Sequence, residues 1–433
     1  MKNLFKLALA AAMTFTLAAC SSAAPKEEEP AGTDTVKGTY TVEIRGFDWG
    51  CGTVRAIVTL DQALDGAKAE DFTVKETKQA TDWTAEGFPV IEAEFDRKIT
   101  GASLSKDGKT LTLDLYCSPD EGSPFLYTMA TGYNTWCDPY YLTIALADGA
   151  EVTCGGTKVT NFTVDTALDI TKQPTSIDHM KTDKYKAADG TEYGYLYYEP
   201  ETKANTLFVW LHGAGEGGTE KTDPRVIALA NRADQFANDE FQAKVGGAYV
   251  LEPQCPTFWL DEKGDGSMGN EHGGSVYTES VVELINWFKA EKGCDKVVIA
   301  GDSNGGFMTM NLAINHPEIA DAYIPVCEAY KDEYITDDQI AELAKLNMFF
   351  VYSLDDTTVD PTVYEAPTIK RLQDAGATNL HVATTEHVIG YVDENDPEHQ
   401  YAGHWSWIYF ENGDSVCTED GLNAWDWIAE IVK

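Results

Sequence analysis

The chain carries two rhythms of hydrophobic and polar positions. Up to about residue 166, apolar and polar residues alternate in short segments rich in β-branched and aromatic side chains, at residues 40–44, 54–60, 72–74, 110–115, 141–145 and 159–164. Alternation sends successive side chains to opposite faces, so each segment predicts a strand with one face buried and the other wet. Asp65-Gly66, Asp107-Gly108 and Asp148-Gly149 fall between them, and such pairs tolerate the positive φ of tight turns. Short strands at this spacing predict a β-sandwich over residues 37–166. No cluster of titratable residues in it has the composition of a reaction site, so its expected work is spacing or binding.

The rhythm changes after Thr171. Beyond the connector Gln173-Pro174-Thr175, near-continuous apolar runs at residues 193–200, 205–211, 248–251, 296–300, 322–326, 348–352 and 380–384 alternate with helical stretches at 276–292, 307–315, 337–345 and 368–375. A strand that is apolar on both faces must be covered on both sides. Joined by helices, such strands predict a doubly wound α/β sheet over residues 175–433.

The first residues follow neither rhythm. Met1-Lys2-Asn3-Leu4-Phe5-Lys6 is basic, residues 7–19 are apolar apart from Thr14 and Thr16, and small residues precede Cys20. This predicts a bacterial lipoprotein signal over residues 1–19, removed to leave an acylated Cys20. The run is shorter than the about 20 apolar residues that span a bilayer. Residues 20–36, with Glu27, Glu28 and Glu29 in a row, predict a solvated tether. The expected location is extracytoplasmic, lipid-anchored to the bacterial cell membrane.

Charge narrows the partners. With 71 acidic against 32 basic residues the formal charge is −39, which leaves no basic stripe to neutralise phosphates and excludes nucleic acid. It also disfavours docking to anionic lipid, so the expected membrane contact is the lipid at Cys20 alone. Eight further cysteines divide into Cys51, Cys117, Cys137 and Cys154, then Cys255, Cys294, Cys327 and Cys417. In an exported chain, four and four predict disulfides within each half. No Cys-x-x-Cys occurs, and neither a metal nor a cofactor is expected.

The chemistry centres on residues 297–306, Val-Val-Ile-Ala-Gly-Asp-Ser-Asn-Gly-Gly. An apolar strand ending in Gly301-x-Ser303-x-Gly305 and passing straight into a helix predicts a nucleophile elbow, a turn that pushes the Ser303 hydroxyl out of the sheet. That hydroxyl needs a base held by a carboxylate. Asp355 and Asp356, just past the strand at 348–352, compete for the carboxylate. Among the histidines, His179 precedes this half and His316 follows a helix end. His381 lies in a strand, while His272, His387 and His399 sit in polar stretches. His404, in the aromatic loop Tyr401-Ala402-Gly403-His404-Trp405-Ser406-Trp407, completes the order Ser, Asp, His and is the expected base.

The turn His212-Gly213-Ala214-Gly215-Glu216-Gly217-Gly218 after the strand at 205–211 is free of bulky side chains at its glycines and can aim backbone amides at an oxyanion, with the N–H of Asn304 as the other donor. A phosphate-binding loop is excluded because its Lys-Ser/Thr is missing. Residues 261–266 fail as a calcium loop, with Lys263 at a ligand position.

Taken together, Leu211-His212-Gly213-Ala214-Gly215-Glu216, Gly301-Asp302-Ser303-Asn304-Gly305-Gly306, Asp356-Thr357-Thr358-Val359 and Gly403-His404-Trp405-Ser406-Trp407 resemble the α/β-hydrolase esterases related to polyhydroxybutyrate depolymerases and feruloyl or acetylxylan esterases. Gly46-Phe47-Asp48-Trp49-Gly50 with residues 54–60 is similar to the immunoglobulin-like domain N-terminal to some of them. The resemblance implies an α/β-hydrolase sheet preceded by an immunoglobulin-like sandwich. It implies Ser303 as nucleophile, Asp356 as acid, His404 as base, and the amides of Ala214 and Asn304 as oxyanion donors. Ser353 and Asp360 depart from the family pattern. The expected activity is a serine esterase working through an acyl-enzyme on a small-molecule or polysaccharide-linked ester, with Trp259, Trp405 and Trp407 as an aromatic substrate wall. The alternatives are a prolyl-oligopeptidase-like serine peptidase, disfavoured by the lack of a propeller-length N-terminal region, and an inactive binding lipoprotein.

Overall fold

In the computed structural model, which describes residues 32–218 and 222–433, eight strands build one large sheet. They are β1 (Lys181–Lys186), β2 (Glu192–Tyr198), β3 (Thr206–Leu211), β4 (Tyr249–Gln254), β5 (Lys296–Asp302), β6 (Ala322–Val326), β7 (Met348–Ser353) and β8 (Leu380–Thr385). Their spatial order is β1-β2-β4-β3-β5-β6-β7-β8. The first two are antiparallel to their neighbours, and from β4 to β8 every pairing is parallel. The expected signal at 1–19, Cys20 and the tether up to residue 31 lie outside the described residues.

β3 shows why its sequence is apolar throughout. Leu207, Val209 and Leu211 pack on one face with Val281, Leu284 and Phe288 of the helix Thr278–Lys292. Phe208 and Trp210 pack on the other with Phe236, Phe241 and Trp425, the last from the helix Ala424–Val432. Each fully buried large apolar side chain contributes about 1.5–3 kcal/mol. In register, Leu211 faces Gly301, Asp302 faces Val326 and Ser353 faces Thr385. The loops after β3, β5 and β7 therefore leave the sheet at one edge, where α/β sheets bind ligands.

The first half forms a five-stranded and a three-stranded sheet. Thr35–Phe47 lies between Asn161–Val164 and Gly50–Leu60, followed by Thr110–Leu115 and Ile99–Leu104; Phe72–Thr81 lies between Val90–Arg97 and Tyr140–Leu146. Val42, Val58 and Leu113 of the larger sheet meet Val74, Leu142 and Ile144 of the smaller in one core. The pattern of apolar residues missed Val90–Arg97, which is mostly exposed, and the short hairpin Phe125–Tyr127 with Asn134–Trp136.

This half is not a free-standing spacer. Its core runs on into Leu196, Ala228 and Leu229 of the second half. The Ile44 amide donates to the carbonyl of Pro174 at 3.0 Å. Asp48 Oδ1 accepts from Arg232 at 2.9 Å and Asn412 at 3.1 Å, and the Trp136 indole donates to Asp223 at 2.8 Å.

The expected disulfides are absent among the described residues: all eight cysteines there are free. The Cys117 and Cys137 thiols instead donate to the backbone carbonyls of Thr53 and Gln79, at 3.2 and 3.3 Å. Cys51, Cys255 and Cys327 are fully buried, where a thiol packs as a small hydrophobe.

Arg97 fastens the two sheets of the first half together. From the smaller sheet its fully buried guanidinium reaches Glu76 at 3.3 Å, the Thr53 carbonyl at 3.1 Å and the Tyr116 carbonyl at 2.7 Å. Removing one partner of a buried ion pair strands the other. Arg97→Ala is therefore expected to cost about 3–5 kcal/mol in urea unfolding, and a loss below 1 kcal/mol, on the same scale, contradicts this role.

Candidate active site

Ser303 stands between β5 and the helix Asn304–Asn315 with φ 52° and ψ −111°. That conformation costs a non-glycine residue on the order of 1–3 kcal/mol and persists only where the surroundings impose it. Here the helix is pressed against the sheet. A Cβ on Gly305 would lie 1.7 Å from the carbonyl oxygen of Leu211 in β3, and one on Gly301 would lie 2.6 Å from the same atom. The Ser303 amide donates to the Val326 carbonyl at 2.9 Å and the Phe307 amide to the Ser303 carbonyl at 2.8 Å, so the turn is tied to β6 and to its own helix.

The hydroxyl of Ser303 donates to Nε2 of His404 at 2.9 Å, and Nδ1 of His404 donates to Oδ2 of Asp356 at 2.7 Å. Asp356 is almost wholly buried, and its other oxygen accepts from the amides of Thr358 and Val359 at 2.8 and 2.9 Å. With Asp356 accepting from Nδ1–H, the lone pair of Nε2 faces Ser303. Asp355 points elsewhere, accepting from Ser353 at 2.6 Å and from His387 at 2.7 Å. Two adjacent acids in the loop after β7 thus serve different histidines, and only Asp356 reaches His404.

His212 holds the loop after β3. Its Nδ1 donates to the Gly213 carbonyl at 2.6 Å and its Nε2 accepts from the Cys255 amide at 2.9 Å, which fixes one neutral tautomer. Burial pushes its pKa down to about 4. The same loop presents Ala214 to the cleft that holds Ser303 and His404. Asn304 is the first residue of its helix, where an amide has no partner within the helix, and its side chain accepts from the Leu260 amide at 3.0 Å.

The cleft has a volume of about 1180 Å³. Trp405 and Trp407 line it, with Trp407 standing edge-on to the His404 ring at 5.5 Å. The first half contributes Trp49, Trp83, Phe95, Tyr127 and Asn134 to the lining of the cleft. Trp83 stacks with Tyr127 at 6.4 Å and is half exposed. Trp259 does not belong to this wall. It is fully buried beside His212, at 5.4 Å, and Tyr193, at 6.2 Å.

The carboxyl groups buried around the elbow and the loop after β3 include Asp302, Glu216 and Glu411. A Cβ on Gly213 would meet Asp302 at 2.6 Å and Glu216 at 3.2 Å. Burial pushes Asp302 and Glu411 well above the usual carboxylate range, and Glu216 up to about 7 against a pull downward from Asn134. Asn134 of the first half donates to Glu216 at 3.2 Å. Asp302 and Glu216 belong to the quoted motifs and Glu411 lies outside them, whereas Asn134 lies in a stretch with no local signal, since its partner is 82 positions away.

No family model matches the chain, and no curated protein does. Among solved structures, a thermostable esterase aligns over 92% of this chain and 99% of its own with a TM-score of 0.63 at 20% identity. This is the α/β-hydrolase fold. An alignment of that extent takes in most of the first half as well. A ferulic acid esterase aligns over 58% of this chain and 98% of its own, with a TM-score of 0.40 and 14% identity. Brefeldin A esterase, a bacterial homologue of human hormone sensitive lipase, aligns over 62% and 81%, with a TM-score of 0.37 and 14% identity.

Two outcomes follow from this packing. Gly305→Ala forces a methyl into the β3 backbone, and a loss of about 3 kcal/mol in thermal or urea unfolding is expected; a variant as stable as the parent contradicts the close approach. Glu216 has its folded pKa above the 4.5 of a free glutamate, so the folded state holds the extra proton between pH 4.5 and about 7. Its contribution is intact below that window and is lost as pH rises through it, by about 3 kcal/mol at most. Glu216→Gln should therefore flatten the fall in stability between about pH 5 and pH 8, and an unchanged slope contradicts the burial.

Proposed function

We propose that the chain is a serine esterase that hydrolyses carboxylic esters through an acyl-enzyme on Ser303. The observation that carries this reading is the unbroken hydrogen-bonded chain from Ser303 through His404 to buried Asp356 at the mouth of a large cleft. His404 removes the hydroxyl proton as Ser303 Oγ bonds to the ester carbonyl carbon. The resulting imidazolium is stabilised by Asp356. The tetrahedral oxyanion is held by the amides of Ala214 and Asn304, a contribution on the order of 10²–10³ per donor. His404 then returns the proton to the departing alcohol, and a water activated by the same imidazole releases the acid.

The aromatic wall of Trp405 and Trp407 shares the cleft with polar and aromatic groups of the first half, which suits an ester carrying a bulky group, small or polysaccharide-linked. We read residues 37–166 as an immunoglobulin-like sandwich that completes the cleft. The mature protein is read as extracytoplasmic and anchored by lipid at Cys20. This last part rests on the N-terminal sequence alone.

Rates on p-nitrophenyl acyl esters, feruloyl esters, acetylated xylan and proline-containing peptides test the reading. Ser303→Ala is expected to lower kcat at least about 10⁴-fold, and Asp356→Asn about 10³–10⁴-fold through loss of the imidazole's orientation. Asp355→Asn, whose carboxylate contacts neither Ser303 nor His404, should stay within about tenfold of the parent. Turnover of peptides only, or equal losses in both aspartate variants, overturns the assignment.

A further inference from the structure

We propose that His381, Cys417 and Asp420 form a binding site for a transition-metal dication of the zinc class, separate from the reaction centre. An imidazole nitrogen, the thiol Sγ and a carboxylate oxygen from these three lie within 4.8 Å of one another, and Nδ1 stands 3.1 Å from Oδ2 of Asp420. His381 is the second residue of β8 and pairs with Phe349, the second of β7. It therefore lies toward the sheet edge opposite Ser303.

Asp420 is hydrogen-bonded to both His381 and Cys417, and backbone bonds hold the donors in place as well. Cys417 and Asp420 share a tight turn in which the Cys417 amide donates to the Leu422 carbonyl at 2.8 Å and the Gly421 amide to the Cys417 carbonyl at 3.0 Å. The turn is fastened to β8 by the Thr418 amide, which donates to the Val382 carbonyl at 2.8 Å. Asp420 Oδ1 accepts from the Leu422 amide at 2.9 Å, leaving Oδ2 turned to His381.

The orientation of His381 is decided by a tryptophan. The Trp427 indole donates to Asn379 Oδ1 at 3.1 Å, and because an indole N–H only donates, that atom of Asn379 is an oxygen. His381 Nε2 stands 3.0 Å from the same oxygen, so it must carry a proton. Nδ1 is then the nitrogen that faces the Asp420 carboxylate, with the Cys417 sulfur in the same cluster of three potential ligand atoms. A cation satisfies all three. An outer partner that fixes the free N–H of a ligating histidine is the usual arrangement around such metals.

The donor chemistry selects the ion. One thiolate, one imidazole and one carboxylate suit zinc and its neighbours rather than magnesium or calcium, and three protein ligands leave one tetrahedral position for water. Cys417 is buried while the Asp420 side chain is half exposed, which gives the ion a route in from solvent. β8 ends the sheet, so the bound ion would clamp the turn that covers its open edge. The signal escapes a search for Cys-x-x-Cys because the third donor is a histidine 36 residues before Cys417.

Titration of untagged, chelator-stripped protein with Co²⁺ and with Zn²⁺ tests the site. One equivalent of Co²⁺ is expected to give a thiolate-to-cobalt charge-transfer band that Zn²⁺ abolishes. Cys417→Ser should lose the band and Cys294→Ser keep it. Asp420→Asn alters a half-exposed side chain, preserves the fold, and should weaken Co²⁺ binding at least about tenfold. Zn²⁺ should raise the melting temperature of the parent and not of Asp420→Asn. The proposal is overturned by the absence of saturable one-to-one binding, by a band that survives Cys417→Ser, or by equal affinity in Asp420→Asn. Those results would leave His381 and Cys417 as hydrogen-bond partners of Asp420 with no ion between them.

Discussion

Everything at the candidate site depends on how closely the helix Asn304–Asn315 approaches β3. A distance that leaves 1.7 Å between a virtual Cβ on Gly305 and the Leu211 carbonyl admits only glycine, and it makes the strand-to-helix turn so sharp that Ser303 is forced to φ 52°. The hydroxyl is thereby lifted clear of the sheet edge. Once it is there, His404 and Asp356 need only short loops from neighbouring parts of the same edge to complete the hydrogen-bonded chain. The strain at Ser303 is offset by the burial around it, since β3, β5 and the helix itself are almost entirely enclosed.

The same crowding explains the buried acids. The loop after β3 must cross the elbow with no bulky side chain at its glycines, and Asp302 and Glu216 fill the space against Gly213. Their carboxyls are deprived of water and favour the proton-bearing form. A hairpin of the first half supplies Asn134 to Glu216, and the same half lines the cleft together with Trp405 and Trp407. The first half is thus part of the site's construction, joined to the second by a common core and by Asp48.

Much of this was legible from the chain, for identifiable reasons. Apolar runs such as residues 205–211 mark strands buried on both faces, and Gly301-x-Ser303-x-Gly305 marks a turn that few other sequences tolerate. The order of Ser303, Asp356 and His404 follows from the loops after β5, β7 and β8 opening near one edge. Asp355 and Asp356 could not be separated by spacing, because neighbouring residues in a turn point in different directions and only packing reveals which one meets the imidazole. Trp259 was misplaced in the cleft because an aromatic side chain has the same signature in a wall and in a core. Lys181–Lys186 was missed as an edge strand with a polar, exposed sequence. Disulfides were inferred from compartment and parity, neither of which carries the geometry that a bond between two sulfurs requires.

The most direct test of the central claim is peptide mapping by mass spectrometry after reaction with a fluorophosphonate. One adduct per chain on Ser303, absent from His404→Ala under the same conditions, is the result this account predicts. No adduct, or an adduct on another residue with Ser303 unmodified, would contradict it.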